Sequence, residues 1–516
     1  GMTATSSLSS AHTHHTRIAI LGTGFGGIGM AICLKKRGVS DFTIFEKANG
    51  IGGTWRENTY PGCACDIASH LYSFSFDQTS TWTRTYASQS EILQYLKELV
   101  RKHDLEQRIT FNTKVVQLRW IDSDQLWRIT TENGDVYTAE IVISAVGGLH
   151  VPHRPEFEGI KQFGGMCFHS SSWPKDLDLR EKKVAVVGTG ASAIQIIPAI
   201  ASQVSRLLVF QRTPPWVLPR HDKEVPQLAQ WIFKSIPGAQ HFWRNMLFVE
   251  SESIALGFTV WPWLLGAWQR QSRSLLRRHI HDPVLRETLT PHYTMGCKRV
   301  LLSDDYYPAL TQKNVSVVSS QITEIKRDNI LTKDGVQYPV DTIILATGFR
   351  PFNPVEEIDI RGRGGRVLSH EWAAGPSAFN GVLVHGYPNF FMLMGPNTGL
   401  GHNSLIFMIE AQIRYILSCI DILKLRQRKL IEVRPESQCA FNESIQKRFQ
   451  RTVWSSQESF STKACNTWYR NPSGRLSALW PGFASSYWWR LRKADIRDFV
   501  EDSIMLSDTA DGREES

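Results

Sequence analysis

The chain has 516 residues, of which 42% are hydrophobic and 21% charged, proportions that exclude a disordered, fibrous or collagen-like protein. At roughly 100–200 residues per domain, this length implies two to four domains with room for large cofactors between them. The formal charge of +9 is spread along the chain instead of concentrated in one arm, which fits anionic dinucleotide ligands and argues against a nucleic-acid partner.

The first sixteen residues are rich in Ser, Thr and His and lack the apolar core of a signal peptide, so they read as a disordered leader. Arg17-Ile18-Ala19-Ile20-Leu21 is an apolar run that meets glycines at Gly22 and turns into a helical pattern over Ile28 to Lys36; Phe42-Thr43-Ile44-Phe45 is the next strand. Gly22-x-Gly24-x-x-Gly27 thus comes after a strand and opens a helix. Missing side chains let the backbone approach a pyrophosphate there, and Glu46, 24 residues past Gly22, stands where a carboxylate accepts hydrogen bonds from ribose hydroxyls. Cys63 and Cys65 form a C-x-C without a distant partner pair, and the eight cysteines make no metal or disulfide framework, which suggests reduced thiols and a cytoplasmic protein.

The same grammar returns at Lys183 to Val187 (strand), Gly188-x-Gly190-x-x-Ala193 (turn), Ser192 to Ala201 (helix) and Leu207 to Phe210 (strand). After that second strand the acidic residue is replaced by Gln211-Arg212-Thr213. An acid would repel a ribose 2′-phosphate, whereas a guanidinium binds it bidentately. Arg212 and Thr213 therefore mark an NADPH site, the alternative being a surface arginine after a strand. Strands Ile141-Val142-Ile143 and Thr342-Ile343-Ile344-Leu345, each ending near Ala-x-Gly, complete an α/β fold of two interleaved Rossmann-like dinucleotide-binding domains. Residues 216–290 are rich in Trp and Arg, have helical spacing and show no strand signal, so they read as a helical insertion. The most apolar stretch, Ala255 to Trp268, is shorter than the ~20 residues a bilayer span needs and contains Gly257, Pro262 and Gly266. Residues 404–424 carry Leu405, Ile409, Ile413, Ile416 and Ile420 at three- and four-residue spacing, the pattern of an amphipathic helix.

Phe163-x-Gly165-x-x-x-His169-x-x-x-Trp173-Pro174 resembles the fingerprint of the Baeyer-Villiger monooxygenases, and Gly53-x-Trp55-x-x-x-x-Tyr60-Pro61-Gly62-x-x-x-Asp66 resembles a second pattern of that family. With the two cradles in the family's order, the resemblance covers most of residues 17–350. It implies FAD in the first cradle and NADPH in the second, and the conversion of a ketone to an ester or lactone with O2. The implied domain limits are 17–150 and 346–516 for FAD, and 151–215 and 291–345 for NADP, with a mobile loop near 455–490. On the residues alone, His169 reads as a hydrogen-bonded packing histidine and Trp173 as core; the resemblance makes Phe163, Gly165, His169 and Trp173 a segment that couples domain motion. Trp55 and Tyr60-Pro61 are expected to shape the flavin pocket.

The resemblance also implies that Arg299 stabilises a peroxide anion at flavin C4a, since a guanidinium stays protonated and aims fixed donors at an anion. Asp66 would orient it, and Lys298 would help select NADPH. An ordinary Asp66–Arg299 ion pair is the plainer alternative. Asn397, in Gly395-Pro396-Asn397-Thr398-Gly399, is expected at the electron-rich flavin edge, and Trp468, in Cys465-Asn466-Thr467-Trp468-Tyr469, near the nicotinamide or simply in the core. Competing readings are a flavin monooxygenase oxygenating nitrogen or sulfur, a flavin disulfide reductase, for which Cys63-x-Cys65 is too closely spaced, and a redox-sensing binding module. The resemblance also suggests a monomer.

Overall fold

The computed structural model describes residues 13–146, 151–255, 261–296, 298–350, 354–396, 398, 404–450 and 480–501. Two sheets organise them. In the first, Thr13–Leu21 lies parallel between Phe42–Phe45 and the long strand Val136–Ser144. That long strand pairs antiparallel with Leu126–Thr131 along its first half and parallel with Phe390–Met392 along its second. Val115–Ile121, Asp359–Arg361 and Ile109–Thr110 complete the eight strands. The second sheet is wholly parallel, in the order Val315–Val318, Arg206–Phe210, Lys183–Val187, Thr342–Leu345, Met166–His169. Ile141 to Ile143 and Ile343 to Leu345 are each 3% exposed or less. Their continuous apolar runs arise because parallel strands are covered on both faces.

The expected leader ends earlier than its composition suggests. Thr13 to Thr16 pair in register with Val136 to Ala139, so backbone hydrogen bonds to the protruding end of the long strand order a polar tetrapeptide that has no apolar signal of its own. The helix at Leu405–Leu425, capped by the Ser404 hydroxyl, is also more deeply set than an amphipathic stripe. Glu410 and Gln412 are buried with Ile409 and Ile413, because Glu410 accepts from Ser75 N at 2.6 Å and Gln412 donates to the Tyr487 hydroxyl at 3.1 Å.

The chain crosses between the sheets twice, and the crossings run side by side: Val151–Pro152 pairs antiparallel with Phe349–Arg350, and His153 N donates to Gly348 O at 2.9 Å. Residues 216–290 hold the helices Gln227–Ser235, Ala239–Ala255, Leu265–His279 and Pro283–Leu289, together with the short strand Val217–Leu218 paired with Leu301–Leu302. Two residues are too few to give an alternating pattern. The first two helices lie on the first domain: Gln230 Nε2 donates to Trp82 O, Phe248 packs against Phe407 and Arg244 reaches Glu410. The last two contribute Leu275, Leu276, Ile280 and Leu289 to the core of the second domain.

His70 sits in the seam beneath those first helices. It is 4% exposed, its ring lies 4.6 Å from that of Phe233, and its Nδ1 accepts from Gln240 Nε2 at 3.3 Å. Burial pushes its pKa from 6.5 down to about 4, and Arg244, whose guanidinium bonds the His70 carbonyl, adds a nearby cation. Because the folded value lies below the unfolded one, the contribution of the neutral ring is complete above pH 6.5 and is lost as pH falls towards 4. His70→Asn, which keeps an acceptor but does not titrate, is expected to flatten the fall in thermal stability over that window by up to roughly 3 kcal/mol. Melting curves of both proteins between pH 7 and 4 check this.

Candidate functional site

The two cradles share one construction. Gly22 has φ +108° and a Cβ there would lie 2.5 Å from Ala145 O; a Cβ on Gly27 would lie 1.9 Å from Gly22 O. In the second cradle Gly188 has φ +117° and a Cβ would meet Ala346 O at 2.3 Å. These glycines are dictated by the fold. The middle ones are not: Gly24 and Gly190 have ordinary negative φ, and a Cβ on either would meet nothing within 4 Å. Each stands at the N-cap of its helix, Phe25–Lys36 or Ala191–Ile200, with no side-chain cap. The first-turn amides and the space before them fit the pyrophosphate of a dinucleotide, whose close approach accounts for the missing side chain. Ala193, in the third position of the second cradle, is fully buried.

Glu46, at the end of its strand, is 6% exposed; it accepts from the Thr23 hydroxyl and, at 2.9 Å, from Ala48 N. The loop at Gly53 (φ +54°) lies over Gly24, and Gly52 N donates to Thr23 O at 3.1 Å. Trp55 turns its Nε1 to the Tyr72 hydroxyl at 3.3 Å. Tyr60 faces the second domain, donating to Gln195 Oε1 at 2.9 Å, while Gln195 Nε2 donates to Ala64 O at 2.9 Å. A Cβ on Gly62 would strike Gln195 O at 2.6 Å. Residues 60–64 thus dock on the helix of the second cradle, a contact that the sequence signalled only by one glutamine in the apolar run of Ala191–Ile200.

Asp66 comes directly after this docked segment. Its Oδ2 accepts from Arg299 Nη2 at 2.5 Å, and both side chains remain about a third exposed. Arg299 precedes the strand Leu301–Leu302, and the strand partner leads to Arg220, whose Nη2 donates to Cys65 O at 2.8 Å and whose guanidinium lies 5.0 Å from the Tyr86 ring. Two arginines therefore hold the Cys65-Asp66 turn. Arg220 was missed in the sequence because nothing local marks it.

Lys298 is close enough to Arg212 that, after the effect of burial, the neighbouring guanidinium further lowers the Lys298 pKa. Two cations whose charges interact in this way could hold a phosphate. Thr213 is tied to the cradle through its carbonyl, which accepts from Thr189 Oγ1 at 2.9 Å.

His169 is fully buried. Nδ1 accepts from Ser171 N at 3.1 Å and lies 2.8 Å from the Ser171 hydroxyl; Nε2 donates to Gly348 O at 2.9 Å. Burial lowers its pKa, so the ring is neutral and serves as a tether between its strand and the crossing at Gly348. Trp173 packs edge-on against Phe168, with centroids 5.2 Å apart. Gly165 is required because a Cβ would lie 2.0 Å from Asp341 O, and Phe163 packs beside the adjoining core. Asn397 and Trp468 lie outside the described residues, as do Cys297 and most of residues 455–490.

A nucleotide cradle in each of two domains, with a carboxylate and guanidinium on the turn between them, defines a two-domain dinucleotide-binding α/β protein. Residues 15–361 match the model of the flavin-binding monooxygenase-like family, and the chain belongs to that family. It is 43% identical over 500 residues to a Baeyer-Villiger monooxygenase of Pseudomonas aeruginosa, covering 97% of this chain and 93% of that one. It is 40% identical to a Baeyer-Villiger monooxygenase of Streptomyces coelicolor over 488 residues, or 94% and 92% of the two chains. A solved structure of oxidised steroid monooxygenase bound to NADP superposes with a TM-score of 0.83 at 28% identity, covering 92% of this chain and 97% of that one.

Gly24→Ala is expected to fold with a melting temperature within a few degrees of the parent but to lose bound FAD by roughly tenfold or more in affinity. Gly22→Ala is expected to compromise folding itself. Flavin absorbance per protein, read beside thermal melts, separates the two.

Proposed function

We propose that this protein is a Baeyer-Villiger monooxygenase that converts a ketone, O2, NADPH and a proton into an ester or lactone, NADP⁺ and water. FAD, bound at the first cradle and reduced by NADPH at the second, supplies the activated oxygen. The reading is supported by the match of residues 15–361 to a flavin-binding monooxygenase-like model and by the two Baeyer-Villiger relatives. The observation that carries the residue roles is the Asp66–Arg299 bond at the turn between the cradles.

Each part of the chain has its own task. Residues 17–150 and 346–516 hold FAD, with Gly22, Gly24 and Gly27 along its pyrophosphate and Glu46, oriented by Thr23, on ribose hydroxyls. Residues 151–215 and 291–345 hold NADPH, with Gly188, Gly190 and Ala193 at its pyrophosphate and Arg212, Thr213 and Lys298 on its 2′-phosphate. Residues 216–290 are inserted between those two parts. Arg299 keeps its positive charge across the working pH range and presents N–H donors where negative charge develops during oxygen transfer to the carbonyl. Asp66 fixes the plane of the guanidinium, and Arg220 fixes the turn that carries Asp66. Such a cation favours nucleophilic oxygen, which ketones require, over the electrophilic form that oxidises sulfur and nitrogen. Among the described residues no helix is long and apolar enough to cross a membrane. A monomer acting in the cytoplasm completes the reading.

The test is NADPH-dependent turnover of a ketone panel and one thioether by the purified yellow protein under ¹⁸O2. One labelled oxygen in an ester or lactone for each NADPH consumed is expected; sulfoxide alone would transfer the protein to heteroatom oxygenation. Arg299→Ala is expected to lower ester formation at least about a hundredfold while NADPH still bleaches the flavin, and a parental ester rate would remove the role given to Arg299. Arg212→Ala is expected to raise the NADPH KM about tenfold or more with kcat little changed, as read from saturation curves.

A further inference from the structure

Among the described residues, fourteen large apolar side chains are exposed, and nine of them fall between residues 228 and 263. Such a concentration in one stretch marks a surface that meets something other than water. The helix Ala239–Ala255 exposes several of its large apolar side chains while it buries two charged ones. Its outward positions include Phe242, Trp243, Met246 and Val249, with Phe242 66% exposed, while its inward positions include Arg244 and Glu252. Spacing of three and four residues puts 242, 246 and 249 on one face.

This orientation is locked. Arg244 is 6% exposed, bonds the carbonyls of His70 and Ser73, and faces Glu410 at 3.9 Å. Glu252 accepts from Ala484 N at 2.8 Å and from the Ser485 hydroxyl at 2.9 Å, at the start of the helix Ala484–Arg490. Rolling Phe242 inward would strip both buried charges of partners, which is strongly disfavoured. The neighbouring helix Gln227–Ser235 packs against it and adds Trp231, 59% exposed.

Charge in the adjoining stretch sets the sign of the partner. From Ser253 to His281 there is no acidic residue, while Arg270, Arg273, Arg277 and Arg278 are present. Arg270, Arg277 and Arg278 are exposed on the helix Leu265–His279, and Trp263, just before it, is 73% exposed. Exposed tryptophans and other apolar side chains, followed along the chain by the exposed arginines of Leu265–His279, match the headgroup layer of a membrane, where indoles sit at the boundary and guanidiniums meet phosphates.

We infer that the outward face of the helices Gln227–Ser235 and Ala239–Ala255, with Trp263 and the arginines of Leu265–His279, docks this enzyme on an anionic lipid surface. The helices lie on that surface and do not span it.

Flotation of the FAD-loaded full chain with phosphatidylcholine vesicles, with and without phosphatidylglycerol, tests the docking. The protein is expected to float with the phosphatidylglycerol vesicles at low salt, with a blue shift of tryptophan emission, and to sink as salt is raised. Arg270→Gln, Arg277→Gln and Arg278→Gln together are expected to weaken vesicle partition roughly a hundredfold, at about fivefold for each charge. Phe242→Ser with Trp263→Ser is expected to abolish the emission shift while flavin content and turnover of a water-soluble ketone stay at parental values, which shows that the variant is folded. Failure of the parent protein to float with anionic vesicles overturns the inference. So does a dimer in sedimentation that Phe242→Ser dissolves, which would assign the face to a second copy.

Discussion

The hydrogen bond between Arg299 and Asp66 is the constraint on which the rest of the site depends, because its partners come from different halves of the molecule. Asp66 closes a turn whose preceding residues are docked on the second domain by Tyr60, Gln195 and Gly62. Arg299 arrives through a two-residue strand whose partner leads to Arg220. With both groups only about a third exposed, the pair holds a permanent cation at the meeting of two nucleotide-binding units. Its value lies in orientation more than in stability, since partly hydrated ion pairs contribute little to folding.

The crossings between the domains are held together by a second set of hydrogen bonds. The His169 ring and the His153 backbone N–H both donate to the Gly348 carbonyl, so the strand that ends at His169 and the two crossings form one hydrogen-bonded bundle. A neutral, buried imidazole suits this task because it offers one donor and one acceptor. The fingerprint histidine thus acts through geometry, and Gly165 and Trp173 set where its strand begins and what covers it. The insertion is shared: its first two helices are fastened to the first domain by buried polar groups, Leu265 of the third also enters that domain's core, and the last two contribute Leu275, Leu276 and Leu289 to the core of the second.

The cradles were legible in the sequence because their causes are local. A positive φ or a carbonyl within bonding distance of a hypothetical Cβ demands glycine whatever the rest of the chain does, and the open space at Gly24 and Gly190 adds the ligand's requirement. The strands were legible because burial on both faces leaves only apolar residues. Asp66 and Arg299 could be paired only through a family resemblance, since 233 residues separate them. Arg220, Gln195 and the buried charges of the helix Ala239–Ala255 were illegible for the same reason: a buried Arg244 or Glu252 reads as a surface charge until its partners are brought up by the fold. The order of Thr13 to Thr16 was hidden too, because it comes from a neighbouring strand's free edge and not from the residues themselves.

The most direct test of the account is the ratio of ester formed to NADPH consumed in Asp66→Asn, which keeps the side chain's shape and removes its charge. If Asp66 fixes the guanidinium, this ratio falls several-fold with little change in flavin content or in the rate at which NADPH reduces the enzyme, and Asp66→Glu recovers part of the loss. A ratio equal to that of the parent protein, with Arg299 intact, would contradict the claim that this bond organises the site.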